Sequence, residues 1–217
     1  MSDEDALLAA IRAHPDEDTP RLIYADWLDE HGDSARAEFI RLQCAPELGA
    51  DGRARVFELE HWHRSRWLAR LPRPERVEWA FRRGFPEGVT LTGWDLMIHQ
   101  DALAEVPWVR TLAVTYVTEL ALQHFVGRVW NPGWIELELQ ASSSFVAANT
   151  ATIANCPQVA QLRALRLSRF HLGAAALDLL ATSPSLANLQ QLRLDSDLDE
   201  DALPPLRARF GDRLRIG

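Results

Sequence analysis

The chain has 217 residues, 47% of them apolar, which is enough for a packed core and argues against disorder. Its 31 Asp and Glu outweigh 23 Lys and Arg, a net charge of −8, so the average surface repels a phosphate backbone and general nucleic-acid binding is not expected. The two cysteines, Cys44 and Cys156, supply neither a disulfide framework nor a sulfur-based zinc site, and no apolar run reaches the ~18 residues that span a bilayer. The acidic start, Met1-Ser2-Asp3-Glu4-Asp5, is unlike a secretory signal. The expectation is a soluble cytoplasmic protein.

Ser2 is placed to cap a helix whose first turn carries Asp3, Glu4 and Asp5, where the backbone dipole favours negative charge. Leu7, Leu8 and Ile11 give that helix an apolar stripe, and His14-Pro15 ends it. A second helix is expected with Thr19 as cap and Pro20 at its first position, with Ile23, Tyr24, Trp27 and Leu28 on one side and Gly32 after its end. A third is expected over 34–43, burying Phe39 and Ile40, and a longer one over 53–71. The stretch Asp16-Glu17-Asp18-Thr19-Pro20-Arg21-Leu22-Ile23-Tyr24-Ala25-Asp26-Trp27-Leu28-Asp29-Glu30-His31-Gly32-Asp33, followed by Ala37-Glu38-Phe39-Ile40-Arg41-Leu42-Gln43, resembles the bacterial repeat-companion domain. Arg82-Arg83-Gly84-Phe85-Pro86-Glu87-Gly88-Val89 looks like that group's usual continuation. The close match covers about the first fifth of the chain. The resemblance implies association with repeats and no known chemistry, so it carries over no catalytic residue. Tyr24 and Trp27 read as core aromatics joining the helices, and otherwise as a contact point of the helical front. Asp26, Asp29, Glu30 and Asp33 read as a solvated face and a cap.

Behind the helices the chain repeats. Shifted by 27 residues, Ile153-Ala154-Asn155-Cys156-Pro157-Gln158-Val159-Ala160-Gln161-Leu162 falls on Leu180-Ala181-Thr182-Ser183-Pro184-Ser185-Leu186-Ala187-Asn188-Leu189, and Leu165-Arg166-Leu167 falls on Leu192-Arg193-Leu194. The L-x-x-L-x-L core is that of leucine-rich repeats. Val109…Leu112-Ala113-Val114, Trp134…Leu137-Glu138-Leu139 and Leu214-Arg215-Ile216 fit the same frame, with Pro86…Val89-Thr90-Leu91 as its opening. The last apolar positions, 91, 114, 139, 167, 194 and 216, are 23, 25, 28, 27 and 22 residues apart, within the roughly 20–29 of this repeat class. Helices are expected between the strands over 94–106, 119–128, 145–155, 173–182 and 201–210. The fold class is therefore α/β: a leucine-rich-repeat solenoid over 77–217, with a parallel sheet and helices outside, preceded by an α-helical N-terminal cap over 1–72.

With the leucines pointing inward, the position between the last two apolar residues of each unit points outward, on the concave side. It reads Thr90, Ala113, Glu138, Arg166, Arg193, Arg215, and the next outward position reads Thr92, Thr115, Gln140, Ser168, Asp195, Gly217. Three arginines on adjacent strands lie about 5 Å apart and repel by roughly 0.8 kcal/mol per pair in water. Two explanations stand: Glu138 and Asp195 neutralise them, or the ladder is a patch for an acidic partner segment.

Other chemistry is missing from the sequence. Asp195-Ser196-Asp197-Leu198-Asp199 has calcium-loop spacing, but Glu200 and Leu206 stand where glycine and glutamate are needed. Glu58 and His61 make one E-x-x-H pair where a di-iron bundle needs two, and His61 and His63 point to different sides of a helix. Cys156 aligns with Ser183 and reads as a packing residue, and most of the eight tryptophans read as core or junction residues. No cofactor, metal or catalytic residue is assigned. The expected function is non-catalytic binding of a protein or peptide, acidic in character, through Arg166, Arg193, Arg215, Glu138 and Asp195, with Tyr24 and Trp27 at the helical front. The alternative is an accessory subunit that docks on a modifying or signalling enzyme and presents or recognises a peptide.

Overall fold

The structure is a computed structural model that describes residues 2–72, 77–142 and 147–217. Helix α1, Asp3–Ala13, opens on a capping box: the Ser2 hydroxyl accepts from the Asp5 N–H and the Asp5 carboxylate accepts from the Ser2 N–H. Helix α2, Thr19–Glu30, begins one residue earlier than the sequence suggests, with Asp18 at the cap position and Pro20 inside the first turn. Its buried side is Arg21, Tyr24, Ala25 and Leu28, which is the i, i+3, i+4, i+7 stripe of a helix. Ile23 lies off that stripe and is 50% exposed. Helix α3, Ser34–Cys44, buries Ala37, Phe39 and Ile40 and is capped by Asp33, whose carboxylate accepts from the Arg36 N–H. Helix α4 spans Ala50–Trp67, shorter at its far end than expected.

These helices and residues 80–87 form one compact unit. Strand β1, Glu78–Arg82, and strand β2, Phe85–Thr92, are joined by Arg83-Gly84, both at positive φ (48° and 85°), the backbone of a two-residue hairpin turn. A Cβ on Gly84 would sit 2.3 Å from Ile40 Cγ1 and 3.0 Å from its Cα, so space and backbone both require glycine there. Within this unit Arg21 and Glu87 form a buried ion pair of 2.5 Å, with side chains 2% and 4% exposed. The Arg21 guanidinium also donates to the Glu17 carbonyl. The Arg36 guanidinium is enclosed by aromatic rings, 4.5 Å from that of Trp67 and 5.2 Å from that of Phe81. Burial brings the Arg36 pKa down to about 10, so the group stays charged at neutral pH.

Residues 72–79 and 88–217 form the second unit. Beyond β2 come α5 (Gly93–Ala104), β3 (Thr111–Val117), α6 (Glu119–Val126), β4 (Glu136–Ala141), α7 (Ala147–Ala154), β5 (Ala164–Ser168), α8 (Ala174–Thr182), β6 (Gln191–Asp195), α9 (Pro204–Phe210) and β7 (Leu214–Ile216). The fold is α/β, as expected. The expected start of the third repeat helix, Phe145, lies outside the described residues. The sheet has seven strands in the order β1 to β7, and every pair from β2 to β7 is parallel. Successive helices from α5 to α9 are neighbours in the same order. Leu112, Val114, Leu137, Leu139, Leu165, Leu167, Leu192 and Leu194 are all buried; each contributes roughly 1.5–3 kcal/mol by leaving water.

Within the second unit, successive strand and helix segments are tied together in a recurring way. The carbonyls of Arg110, Ile135 and Arg163 each accept two consecutive N–H groups at the entrance of the next strand: Ile135 and Glu136, Arg163 and Ala164, Gln190 and Gln191. Polar side chains also reach back to the preceding turn. Asn131 donates to the Ala104 and Val106 carbonyls, Gln161 to those of Asn131 and Trp134, Asn188 to that of Ala160, and Arg213 to that of Leu189. Ser183 donates to the Ala154 carbonyl, and Arg209 in turn donates to the Ser183 carbonyl. Among the described residues no helix is long and apolar enough to cross a membrane.

Candidate functional site

Strands β2 to β6 bury one face and leave the other more open over their paired register, because successive side chains alternate, while β7 buries Leu214 and leaves Ile216 44% exposed. The parallel register sets Thr90 beside Ala113, Ala113 beside Glu138, Glu138 beside Arg166, Arg166 beside Arg193, and Arg193 beside Arg215. The row read from the sequence is thus a row in space. On its flank Ser168 stands beside Asp195.

The three arginines are not equivalent. The Asp195 carboxylate accepts from Arg166 Nε at 2.6 Å and from Arg193 Nε at 2.9 and 3.0 Å. Burial acts to raise the Asp195 pKa, but the hydrogen bonds from Arg193 and Arg166 outweigh it and hold the carboxyl below its ordinary value. Arg166 also faces Glu138, 3.6 Å away. Neutralisation therefore accounts for Arg166 and for one nitrogen of Arg193. The terminal nitrogens of Arg193 have no partner among the described residues, and Arg215, exposed, has none there. Outward charge sums to three acids, Glu136, Glu138 and Asp195, against three arginines, but the acids of β4 stand apart from the cations of β6 and β7.

Where Ala164 stands between larger neighbours, the face is hollowed by a depression of about 180 Å³, walled by Glu136 and Glu138 on one strand, Arg166, and Gln191 and Arg193 on another. Glu136 accepts from the Thr111 hydroxyl at 2.8 Å. The depression has carboxylates on one wall and guanidinium groups on the other.

At the helical front Tyr24 matches the first of the two readings, a core aromatic. Tyr24 is 7% exposed. Its ring lies 6.0 Å from that of Phe85 and 5.9 Å from that of Trp27, and its hydroxyl donates to Glu4. Burial, with the hydrogen bond to Glu4, raises its pKa. Tyr24 is a packing residue; Trp27, partly covered, stacks on His31. Exposed aromatics lie instead on α4, where Phe57 is 71% and Trp62 76% exposed, with His61 against both rings. Sequence pattern did not mark them, since a helix with one buried residue, Leu59, has no stripe to read against. In the second unit Trp130 and Trp134 are buried and Trp94 is exposed.

Cys156 and the calcium-like stretch are engaged in local contacts. Cys156 is buried and donates to Gln158, and burial raises its pKa. In the calcium-like stretch, the Ser196 hydroxyl donates to the Leu167 carbonyl and accepts from the Phe170 N–H, while the Asp197 carbonyl accepts from the Leu172 N–H. No protein-family model matches the chain, and no curated protein or solved structure matches it.

Proposed function

We propose that the chain is a non-catalytic binding module of the leucine-rich-repeat kind, in which strands β2 to β7 with their helices form a solenoid and the open sheet face grips a protein or peptide. The resemblance of the front to the repeat-companion domain agrees with this reading, and the front helices act as the N-terminal cap, since an uncapped first unit exposes apolar surface. One observation carries the proposal: Arg166, Arg193 and Arg215 stand in register on three adjacent strands, and the last two keep hydrogen-bond donors without partners among the described residues. A planar guanidinium fork binds a carboxylate with two hydrogen bonds, so acidic side chains of the partner fit there.

The experiment is a pull-down from the native host with wild type and with an Arg166/Arg193/Arg215→Glu variant verified as folded. The partner is lost from the variant, and its binding to wild type weakens as salt rises. A partner held equally by both excludes the face. A second reading, an accessory subunit that docks on a modifying or signalling enzyme, is favoured by Phe57 and Trp62, exposed on α4, since aromatic anchors dominate protein interfaces. Trp62→Ala then releases the partner where the arginine variant does not.

A further inference from the structure

Charge along the open row is graded. Glu138 on β4 meets Arg166 through one oxygen at 3.6 Å, and its second oxygen has no partner among the described residues. Arg166 is held between Glu138 and Asp195. Arg193 engages Asp195 through Nε alone, and Arg215 is unpaired among the described residues. One end of the row accepts cations and the other accepts anions.

The distance between the ends selects a geometry. Neighbouring strands are about 4.8 Å apart, so β4 and β7 are separated by about 14 Å. In an extended chain rising about 3.4 Å per residue, side chains i and i+4 point the same way and lie about 14 Å apart. An α-helix, at about 1.5 Å per residue, would need nine or ten residues for that span.

From this gradient, and resting on the reading that the face binds a peptide, we infer that the occupant is an extended segment crossing the strands, with Lys or Arg at one position and Asp or Glu four residues away. The basic residue lies over Glu138, its aliphatic stem in the depression above Ala164. The acidic residue lies over Arg215 on β7, with Arg193 on the neighbouring strand. A uniformly acidic segment is rejected at the β4 end, where Glu136 and Glu138 repel it.

The test is a random-peptide display library selected in parallel on wild type, on Glu138→Lys and on Arg193→Glu/Arg215→Glu, each verified as folded by circular dichroism. Wild type enriches a basic and an acidic residue four apart. Synthetic peptides of the enriched sequence bind wild type about fivefold more tightly than the same peptide with two acids, the effect of one exposed ion pair gained in place of a repulsion. Glu138→Lys reverses that preference. Wild-type enrichment of acid-only peptides, unchanged by Glu138→Lys but lost in Arg193→Glu/Arg215→Glu, overturns this inference and leaves the binding face standing. Enrichment indifferent to all the substitutions, or none at all, overturns both.

Discussion

Replacing either partner of the Arg21–Glu87 pair tests the packing of the first unit. The two charges meet at 2.5 Å, almost free of solvent, so removing one leaves the other buried and uncompensated at a cost of about 3–5 kcal/mol. The two single substitutions differ. In Arg21→Met, Glu87 keeps the Arg83 guanidinium 3.9 Å away, which places this variant near the lower end. In Glu87→Leu, Arg21 keeps the Glu17 carbonyl and the Phe85 ring, 5.6 Å away, but no carboxylate partner among the described residues, which places it near the upper end. Restoring neutrality with Arg21→Met/Glu87→Leu recovers most of the loss, because two apolar side chains of similar volume need no countercharge. The assay is urea unfolding, together with hydrogen exchange of α2 and α3, which reports on this unit alone. With single losses of about 3 and 5 kcal/mol and most of that recovered in the double variant, a coupling of about 6 kcal/mol is expected; single effects that add to within about 0.5 kcal/mol refute the argument.

Three further outcomes are expected. Leu194→Ala costs about 2–5 kcal/mol and Arg193→Ala less than about 0.5 kcal/mol; equal losses in chemical denaturation contradict the assignment of the two faces. Gly84→Ala combines a left-handed backbone with a clash against Ile40 and lowers stability by about 2–4 kcal/mol; a melting temperature within a degree or so of wild type contradicts that. The folded pKa of Asp195 lies below its ordinary 3.8, so its contribution to stability is present above that value and is lost as pH falls through the folded pKa. A carboxyl titration followed by NMR shows a midpoint below 3.8; one at or above it removes the bridging role.

The register of β2 to β7 was legible because leucines recur in one frame and a strand alternates with a period of two, so fixing Leu165 and Leu167 inward fixes Arg166 outward. The pairing of that row was less so. Asp195 reaches Arg166 on the neighbouring strand and Arg193 on its own, a choice made by side-chain rotamers that no periodicity encodes. The Arg21–Glu87 pair was not legible at all. Its members are 66 residues apart, and a charged residue on a helix ordinarily reads as solvated. Nor did the pattern separate Ile23 from Tyr24, since both are apolar neighbours and only the partner surface decides which one faces it.

The reach-back hydrogen bonds of Asn131, Gln161, Asn188 and Arg213 are directional: each unit carries the donor that closes the turn before it. Each of these four contacts spans one strand-and-helix segment and ties it to the segment just before it. If the segments are interchangeable, deleting one whole segment from the interior shortens the open face by one strand and keeps the sheet, whereas a cut inside a segment removes a donor from the turn that it closes; circular dichroism and urea unfolding of the two deletion variants distinguish these outcomes.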